Sequence, residues 1–379
     1  MTNRECFERI MHGLPADRLP VMHFGFWGET LQKWVSQGYL SQDEIDGYGD
    51  GNDVDKRLTR RLGFDCNYEH LLFSSCGLNP FFEEKVVESF PDGTRHVMDG
   101  YGVVRVQKPG TEGIPAEVSH LLCDRASWEE HYKPRFQWSP SRVPHEAIAS
   151  IASGEAARDW PLGIYCGSLL GHIRDILGVV GMSYMMADDP DLLREIIDTV
   201  GDICYRNVEE ILKCAKGIKF DFAHFWEDIC FKNGPLVNPS MFREWVGPHY
   251  RRITGLLERH GIDIVSVDCD GSIDLLAPVW LENGVNTMFP IEVGTWGASI
   301  HSLRGLGLPG LRGIGGMDKR VFAADRAAVD AEVERLVPLI AEGRYIPCPD
   351  HRIPPDAKFE NVVYYAERLR EASCKLFSA

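Results

Sequence analysis

The sequence predicts a closed α/β barrel of eight parallel strands, and three observations favour this fold class. After residue 160, apolar runs of four to eight residues alternate with helical stretches, which is typical of parallel strands joined by crossover helices. The runs are apolar on both faces, as expected where helices cover a barrel and side chains fill it. The chain has 379 residues, 44% of them hydrophobic, which suits one large barrel domain. A doubly wound open sheet is the alternative.

Several elements precede this regular region. Residues 1–13 are predicted to form an amphipathic N-terminal helix, and Leu19–Gly25 the first strand. Residues 28–61 are polar and glycine-rich, which indicates loop and short helix. Residues 81–107 alternate around a Pro-Asp-Gly turn and predict a hairpin inserted near the barrel mouth.

The later elements follow in strict alternation. Six strands are predicted: Leu162–Cys166, Phe220–Trp226, Ile262–Cys269, Val285–Phe289, Leu311–Gly315 and Tyr345–Cys348. Three helices between them have clear start and stop signals, and run from Asp189 to about Lys216, from Asn238 to Gly261 and from Asp325 to Gly343. With two weaker strands upstream, we expect residues 1–379 to form one barrel domain.

The charge and cysteine content exclude several function classes. The chain carries 40 basic and 56 acidic residues, a formal net charge of -16, which argues against a nucleic-acid or anionic-membrane surface. Its 11 cysteines include no C-x-x-C pair, so we expect free thiols and a cytoplasmic protein. No apolar stretch has the length of a signal peptide core or a membrane span.

Carboxylates follow five consecutive predicted strands, at the end of a barrel where catalytic groups lie. The segments that carry them are His224–Asp228, Asp268–Gly271, Pro290–Glu292, Gly315–Lys319 and Cys348–Arg352. Two of these segments also carry a histidine. Acidic side chains on random loops would not recur at the same end of each strand, so the pattern predicts a functional pocket.

Asp268 and Asp270 are the candidate metal ligands. Side chains alternate along a strand, so if the strand continues through this segment, these two carboxylates share a face and Cys269 points away. Together with His351 they would give an oxygen and nitrogen site for a divalent ion such as zinc, manganese, iron or magnesium. In the alternative interpretation, Asp270-Gly271 is a turn and helix cap, and Asp268 bonds to neighbouring backbone.

Glu227, Asp228 and His224 are the candidate acid–base groups. Glu227 and Asp228 are adjacent, so we expect one to enter the pocket and the other to pair outside it. A carboxyl with a pKa raised by burial can act as a general acid or base. His224 can take the same role, or be a hydrogen-bonded histidine of the barrel interior. Trp27 and Trp226 are candidates for a flat apolar ligand platform, with ordinary packing as the alternative.

Three segments resemble the uroporphyrinogen decarboxylase superfamily. They are Asp17-Arg18-Leu19-Pro20-Val21 after the N-terminal helix, Gly315-Gly316-Met317-Asp318, and the run from Tyr345 to Asp356 that contains Cys348-Pro349-Asp350-His351-Arg352 and Ile353-Pro354-Pro355. The resemblance spans nearly the whole chain and is stronger after residue 160. It implies a TIM-type (β/α)8 barrel, which in this family is often a homodimer.

The superfamily implies two chemistries, and the chain departs from both patterns. The decarboxylases act on a tetrapyrrole without a cofactor and carry an Arg-x-x-Gly-Arg-Tyr loop, whereas the matching loop here, residues 23–29, has no arginine. The methyltransferases bind zinc through a His-x-Cys-Gly segment and a later cysteine. Those ligand positions fall on Asp268, Asp270 and His351 here, so every ligand type has changed although each can bind a metal.

The resemblance and the residues together predict a metal-dependent methyltransferase that works with a corrinoid methyl-carrier protein, with zinc as the first choice of metal. A cofactor-free decarboxylase of a tetrapyrrole is the alternative, and a non-catalytic binding barrel is the second alternative. The predicted substrate-binding residues are His23, Trp27, Asp65, Trp226, Gly315 and Arg352.

Overall fold

The computed structural model describes residues 1–110, 115–294 and 296–377. Its strands are β1 (Met22–His23), β2 (Cys66–Asn67), β3 (Leu71–Leu72), β4 (Lys85–Ser89), β5 (Arg95–Met98), β6 (Val103–Gln107), β7 (Glu117–His120), β8 (Gly163–Tyr165), β9 (Phe222–Trp226), β10 (Cys230–Phe231), β11 (Gly234–Pro235), β12 (Val265–Asp268), β13 (Thr287–Phe289), β14 (Arg312–Met317) and β15 (Tyr345–Pro349). The α-helices are α1 (Asn3–Met11), α2 (Gly28–Ser36), α3 (Gln42–Ile45), α4 (Asp53–Arg61), α5 (Arg125–Ser127), α6 (His145–Gly154), α7 (Gly171–Asp188), α8 (Pro190–Cys214), α9 (Pro239–Met241), α10 (Gly247–Arg259), α11 (Ala277–Glu282), α12 (Ile300–Gly305), α13 (Arg326–Ala341) and α14 (Phe359–Phe377).

The central sheet is parallel and consists of seven strands in the order β3-β8-β9-β12-β13-β14-β15. β1 and β2 form a second parallel pair, and β3 follows β2 directly in the chain. The gap between β1 and β15 is bridged by backbone bonds: Ile353 N donates to Gly25 O at 3.1 Å, and Trp27 N donates to Ile353 O at 3.3 Å. The strands therefore run round the molecule as the predicted TIM-type barrel.

Aromatic side chains fill the barrel interior. Tyr68 stacks on Phe222 with ring centroids 4.7 Å apart and contacts Phe289 at 4.8 Å. From the amino end of the strands, Phe7 of α1 reaches Phe222 at 5.7 Å. α1 begins at a capping box formed by Thr2, and its buried face closes this end of the barrel. Polar side chains lie at the opposite end of the barrel, where the strands end.

The six strands predicted after residue 160 are present, and two predicted regions are more structured than expected. Residues 28–61 contain the three helices α2, α3 and α4. The hairpin predicted over 81–107 is part of a four-stranded antiparallel sheet, β4-β5-β6-β7. Its predicted turn is confirmed by the bond from Thr94 N to Asp92 Oδ1, at 3.0 Å. β7 was missed because Glu117–His120 is short and mostly exposed, so it carries no alternation.

The predicted helices are confirmed with small changes at their ends. α8 begins after Asp189, whose side chain accepts a hydrogen bond from Leu192 N at 3.0 Å. The helix predicted from Asn238 to Gly261 is interrupted by a wider turn at residues 242–246 between α9 and α10. No disulfide joins the cysteines of the described structure. Within the same residues, no helix has both the length and the apolar character needed to cross a membrane.

Candidate functional site

Asp268 lies at the centre of the polar end of the barrel. It is the last residue of β12, in register with Trp226 of β9 and Phe289 of β13. The residue is 8% exposed, and within residues 1–110, 115–294 and 296–377 no group donates a hydrogen bond to its carboxylate. Burial raises the pKa of Asp268 well above its ordinary value, and the neighbouring carboxylates raise it further.

Three buried side chains form what we call the inner cluster: Glu69, His224 and Asp268. Each offers one ligand atom, and the three atoms lie within 4.8 Å of one another. Burial raises the pKa of Glu69 to about 7. Its Oε1 is a buried atom with no hydrogen-bond partner in the described structure and lies 3.8 Å from His224 Nε2. A divalent cation would satisfy these groups together.

Hydrogen bonds around Ser266 set the tautomer of His224. The Ser266 hydroxyl donates to Ala223 O at 3.0 Å and accepts from the Tyr68 hydroxyl at 2.7 Å. His224 Nδ1 lies 2.8 Å from the same oxygen, and because the serine proton is already used, Nδ1 must be the donor. The lone pair of Nε2 therefore faces the cluster. Burial lowers the pKa of His224 to about 3, so the ring is neutral, as a metal ligand must be.

A second set of carboxylates, the outer cluster, consists of Asp228, Asp268 and Asp270. Their ligand atoms also lie within 4.8 Å of one another. Asp228 has a positive φ of 45°, and its Oδ1 accepts the backbone N–H of Asp270 at 3.0 Å. Burial, followed by Asp228, raises the pKa of Asp270 to about 8. His351 Nε2 lies 3.6 Å from Asp270 Oδ2. Asp268 thus belongs to both clusters.

Of the three predicted metal ligands, Asp268 and Asp270 lie in the outer cluster, whereas His351 belongs to neither cluster of the described structure. The predicted trio therefore does not form one ligand set, because β12 ends at Asp268 and His351 reaches only the edge of the outer cluster. His351 approaches Asp270, and burial lowers its pKa to about 4, which keeps the ring neutral. Trp27 stacks on His351 with ring centroids 5.7 Å apart and planes at 13°, and Phe24 lies edge-on to the imidazole at 5.6 Å. These rings lie beside Asp270, whose side chain is 32% exposed.

The family to which this chain belongs is shown by a match over the larger part of its sequence. Residues 145–372, more than half of the chain, match the model of the family described as uroporphyrinogen decarboxylase (URO-D). The chain belongs to the URO-D family. The family resemblance noted in the sequence motifs is therefore confirmed. Among curated protein sequences, none is significantly similar to this chain.

Two solved structures share the fold at low sequence identity. A methyltransferase from Methanosarcina mazei is 14% identical, with a TM-score of 0.59 and 100% of both chains covered. A B12-independent methionine synthase from Shewanella sp. W3-18-1, in complex with selenomethionine, is 12% identical, with a TM-score of 0.51, 96% of this chain covered and 100% of that chain. At these identities the likeness shows the fold alone.

One cation at the barrel mouth of this URO-D family member is Arg352, and it does not come from the loop after the first strand. Residues 23–29 contain no arginine. Arg352, in the segment after β15, reaches the same region, and its Nη2 donates to Asp50 Oδ2 at 2.6 Å. The guanidinium also lies over the Phe24 ring, 5.5 Å from the centroid. Arg352 is thus partly neutralised before any substrate arrives.

Glu227 anchors the start of α7. Its buried carboxylate accepts backbone N–H groups of Leu169 and Leu170 at 2.9 Å and of Gly171 at 2.8 Å, and the Tyr250 hydroxyl also donates to it. Burial raises the pKa of Glu227, and these donors oppose that effect. The adjacent Asp228 points into the outer cluster, so one of the two carboxylates enters the pocket and the other pairs elsewhere.

The other strand-end carboxylates hold loops. Asp350 Oδ2 accepts the N–H groups of Val293 and Gly294, each at 2.9 Å, and its Oδ1 accepts Lys319 N at 3.1 Å. Glu292 Oε2 accepts Gly271 N at 2.9 Å. These contacts join the loops after four neighbouring strands and keep the outer cluster in place.

Two further residues predicted to bind substrate, His23 and Asp65, are engaged in contacts with other protein groups. His23 is fully buried, with Nε2 bonded to Thr59 Oγ1 at 2.8 Å and Nδ1 accepting a hydrogen bond from Gly25 N at 2.9 Å. Asp65 lies at the amino end of β2, where Arg370 Nη1 donates to it at 3.0 Å.

Gly315 and Trp226 complete the predicted set. Gly315 has a φ of +116°, and a Cβ there would lie 1.7 Å from Pro290 O. The glycine therefore permits β14 to pack closely against Pro290 in the segment after β13, and the structure shows no space for a ligand at the Gly315 Cα. Trp226 is half-buried at the pocket edge, and its ring lies 5.4 Å from that of His172.

Glu69 is the site residue that sequence reasoning missed. It follows β2, which is only two residues long and has no apolar run to mark it as a strand. Asn67 Oδ1 accepts Glu69 N at 2.9 Å and sets its position. The signal available was the Asn67-Tyr68-Glu69-His70 segment, a polar strand end like those downstream.

Proposed function

We propose that this chain is a metal-dependent methyltransferase of the URO-D family, with its metal ion bound by the inner cluster. The observation that carries the proposal is Asp268: a buried carboxylate without a hydrogen-bond donor in the described structure, in contact range of Glu69 and of the Nε2 lone pair of His224. Oxygen and nitrogen ligands of this kind suit zinc and other divalent ions. When bound, such an ion would supply Lewis-acid activation of the methyl acceptor or of a methoxy oxygen.

The chain's own residues supply orientation and exclude water. Ser266 holds His224 in the tautomer that presents Nε2, and Tyr68 holds Ser266. Trp27 and His351 form a flat apolar surface at the mouth, which suits a methyl-bearing or planar ligand. Asp228 and Asp270 lie beside the ligand set. When only the inner ion is bound, they are the candidates for holding a proton at their carboxylate oxygens.

Two further observations favour methyl transfer over decarboxylation. The first-strand loop lacks arginine, so a substrate with many carboxylates would meet little positive charge there. The two similar structures are titled a methyltransferase and a methionine synthase. We propose a corrinoid carrier protein as the partner and a homodimer as the assembly. The methionine synthase is titled B12-independent, so the assay includes donors with and without a corrinoid.

The test is a pair of assays on protein loaded with zinc. Methylcobalamin is offered with a panel of thiol acceptors, and methoxylated donors are offered with reduced cobalamin, while the cobalamin absorbance is followed. A parallel reaction measures carbon dioxide from uroporphyrinogen. We expect methyl transfer in at least one arm, its loss in Asp268→Asn, and no loss in the exposed matched variant Asp43→Asn. Carbon dioxide release that survives chelation and Asp268→Asn would replace the proposal with the decarboxylase.

A further inference from the structure

We propose that the barrel mouth binds a second divalent cation, at the outer cluster, so that the two ions form a pair bridged by Asp268. The proposal rests on the proposed function in one respect, since it takes the first ion to occupy the inner cluster. It adds a binding site that a single metal ion does not need.

Geometry is the first argument. The ligand atoms of the inner cluster lie within 4.8 Å of one another, as do those of the outer cluster, and Asp268 is the one residue in both sets. A carboxylate has two oxygens and can bind one ion with each, and paired metal sites in enzymes hold their ions about 3.5–4 Å apart. Asp268 is more than nine-tenths buried and receives no hydrogen bond from the described residues, so both of its oxygens are available.

Charge is the second argument for a second ion. The two clusters contain four different carboxylates. The cations that act on them already have an acidic partner each: Arg352 with Asp50 at 2.6 Å, Arg174 with Asp175 at 3.0 Å, and Lys319 with Asp350 at 3.9 Å. When all four carboxylates are ionised, one divalent ion leaves about two negative charges without a partner in a partly buried place, which is costly. A second divalent ion balances them.

The outer ligands indicate which ion would bind there. Asp270 Oδ1 is buried without a hydrogen-bond partner in the described structure, and His351 Nε2 stands 3.6 Å from the other oxygen of the same carboxylate. The set is richer in oxygen than the inner cluster, with three carboxylates and one imidazole at its edge. Hard ions such as manganese or magnesium prefer such ligands, whereas the inner set with its histidine suits zinc.

Manganese(II) is the probe that tests the pair. Metal-free protein is titrated with MnCl2 alone, bound ions are counted by equilibrium dialysis, and the bound fraction is examined by electron paramagnetic resonance. We expect two ions per chain and a spin-coupled spectrum in place of the six-line signal of an isolated ion. Asp228→Asn and Asp270→Asn should each bind one ion and give the uncoupled spectrum, and Asp43→Asn should bind two. Asparagine tolerates the positive φ at position 228, so that variant keeps the backbone.

The outcomes separate this proposal from the proposed function. One ion in the wild type, lost in Glu69→Gln and kept in both Asp228→Asn and Asp270→Asn, would overturn the pair and leave the inner site standing. One ion that is insensitive to Glu69→Gln would overturn the pair and the inner site together. No bound ion would overturn both proposals, and the buried carboxylates would then be protonated groups. Circular dichroism of each variant confirms that a lost ion is not a lost fold.

Discussion

At the scale of single residues, the inner cluster is marked by carboxylate oxygens that receive no hydrogen bond from the described residues. Glu69 Oε1 is buried and Asp268 is 8% exposed, and no hydrogen bond among the described residues satisfies either. Unpaired buried carboxylates are expensive in a folded protein. Their presence at one point, beside a histidine whose lone pair faces them, favours a site kept for a cation over a purely structural network.

Ser266→Ala tests the orientation of His224. Without the serine hydroxyl, Nδ1 loses its acceptor and the ring is free to rotate or to change tautomer. Removing such a supporting contact typically weakens metal affinity by about 10- to 100-fold. We expect a loss of that size in zinc affinity by competition with a chelating dye, with the fold retained. Ser183→Ala, exposed on α7, is the control. Equal zinc affinity in the two variants would remove the proposed role of Ser266.

The pH dependence of stability in the metal-free protein tests the burial of Glu69. Burial raises the pKa of Glu69 from its ordinary 4.5 to about 7, so around pH 6 the folded state holds a proton that the unfolded state has released. Stability therefore falls as pH rises from about 4.5, and the loss is complete above pH 7, at a cost on the order of 3 kcal/mol. Asp270, whose pKa is raised to about 8, extends the fall in the same direction.

Urea unfolding in chelator at pH 5, 6, 7 and 8 measures this effect. Glu69→Gln has no proton to release, so its free energy of unfolding should decline less steeply between pH 5 and pH 7 than that of the wild type. Saturating zinc should flatten the wild-type profile, because the ion takes the place of the proton. Identical slopes in wild type and Glu69→Gln would show that Glu69 is ionised in the folded protein without metal.

The candidate residues were predictable to the extent that strand geometry is regular. The proximity of Asp268 and Asp270 was predicted from an extended strand, but β12 ends at Asp268, and the loop that carries Asp270 is held by its bond to Asp228. The approach of His351 to Asp270 follows from its place after β15. Glu69 did not follow, because β2 has two residues and no apolar run. The hydrogen bonds of Glu227 were also beyond sequence reasoning, because they come from segments more than 20 residues away along the chain.

At the scale of secondary-structure elements, the site is built by helix starts and loops that carboxylates hold in place. Glu227 collects the free N–H groups at the start of α7, where a helix has unpaired donors and a positive dipole end. Asp350 does the same for the loop after β13. Sequence patterns predicted the six strands after residue 160 and the helices α1, α8, α10 and α13, but not the long helices α7 and α14. They also did not show which of the many strand-end carboxylates would bind loops and which would face the pocket.

Glu227→Gln separates anchoring from catalysis. Glutamine offers one acceptor oxygen where the carboxylate offers two, and its amide N–H groups would face the donors at the start of α7. We expect a loss of about 3 kcal/mol in the free energy of unfolding, with the number of bound metal ions unchanged. Glu334→Gln, exposed on α13, is the matched control. Unchanged stability together with lost turnover would instead give Glu227 the acid–base role that the sequence suggested.

At the scale of the whole molecule, the barrel brings distant parts of the chain to one point. Glu69 follows β2, whereas His224 lies in β9 and Asp268 ends β12. The closure of β1 on the segment after β15 adds His351 with its aromatic neighbours. A ligand set assembled this way exists only in the folded protein. An ion bound there therefore stabilises the fold according to its concentration and affinity.

A thermal scan is the corresponding prediction for the intact protein. At pH 7, zinc in large excess over its dissociation constant should raise the free energy of unfolding by about 3 kcal/mol, measured as an upward shift in Tm against protein in chelator. Asp268→Asn should show little or no shift, and Asp43→Asn the full shift. Equal zinc shifts in Asp268→Asn and the wild type would place the bound ion elsewhere on the chain.

The ligand atoms of bound zinc decide whether the inner cluster is the metal site. X-ray absorption of the protein loaded with one equivalent of zinc reports these atoms without any assay of turnover. We expect a first shell of oxygen and nitrogen only, at about 2.0–2.2 Å, with the outer-shell scattering of an imidazole that disappears in His224→Ala. Sulfur scattering at about 2.3 Å, or an imidazole signal that survives His224→Ala unchanged, would contradict the assignment of the metal to the inner cluster.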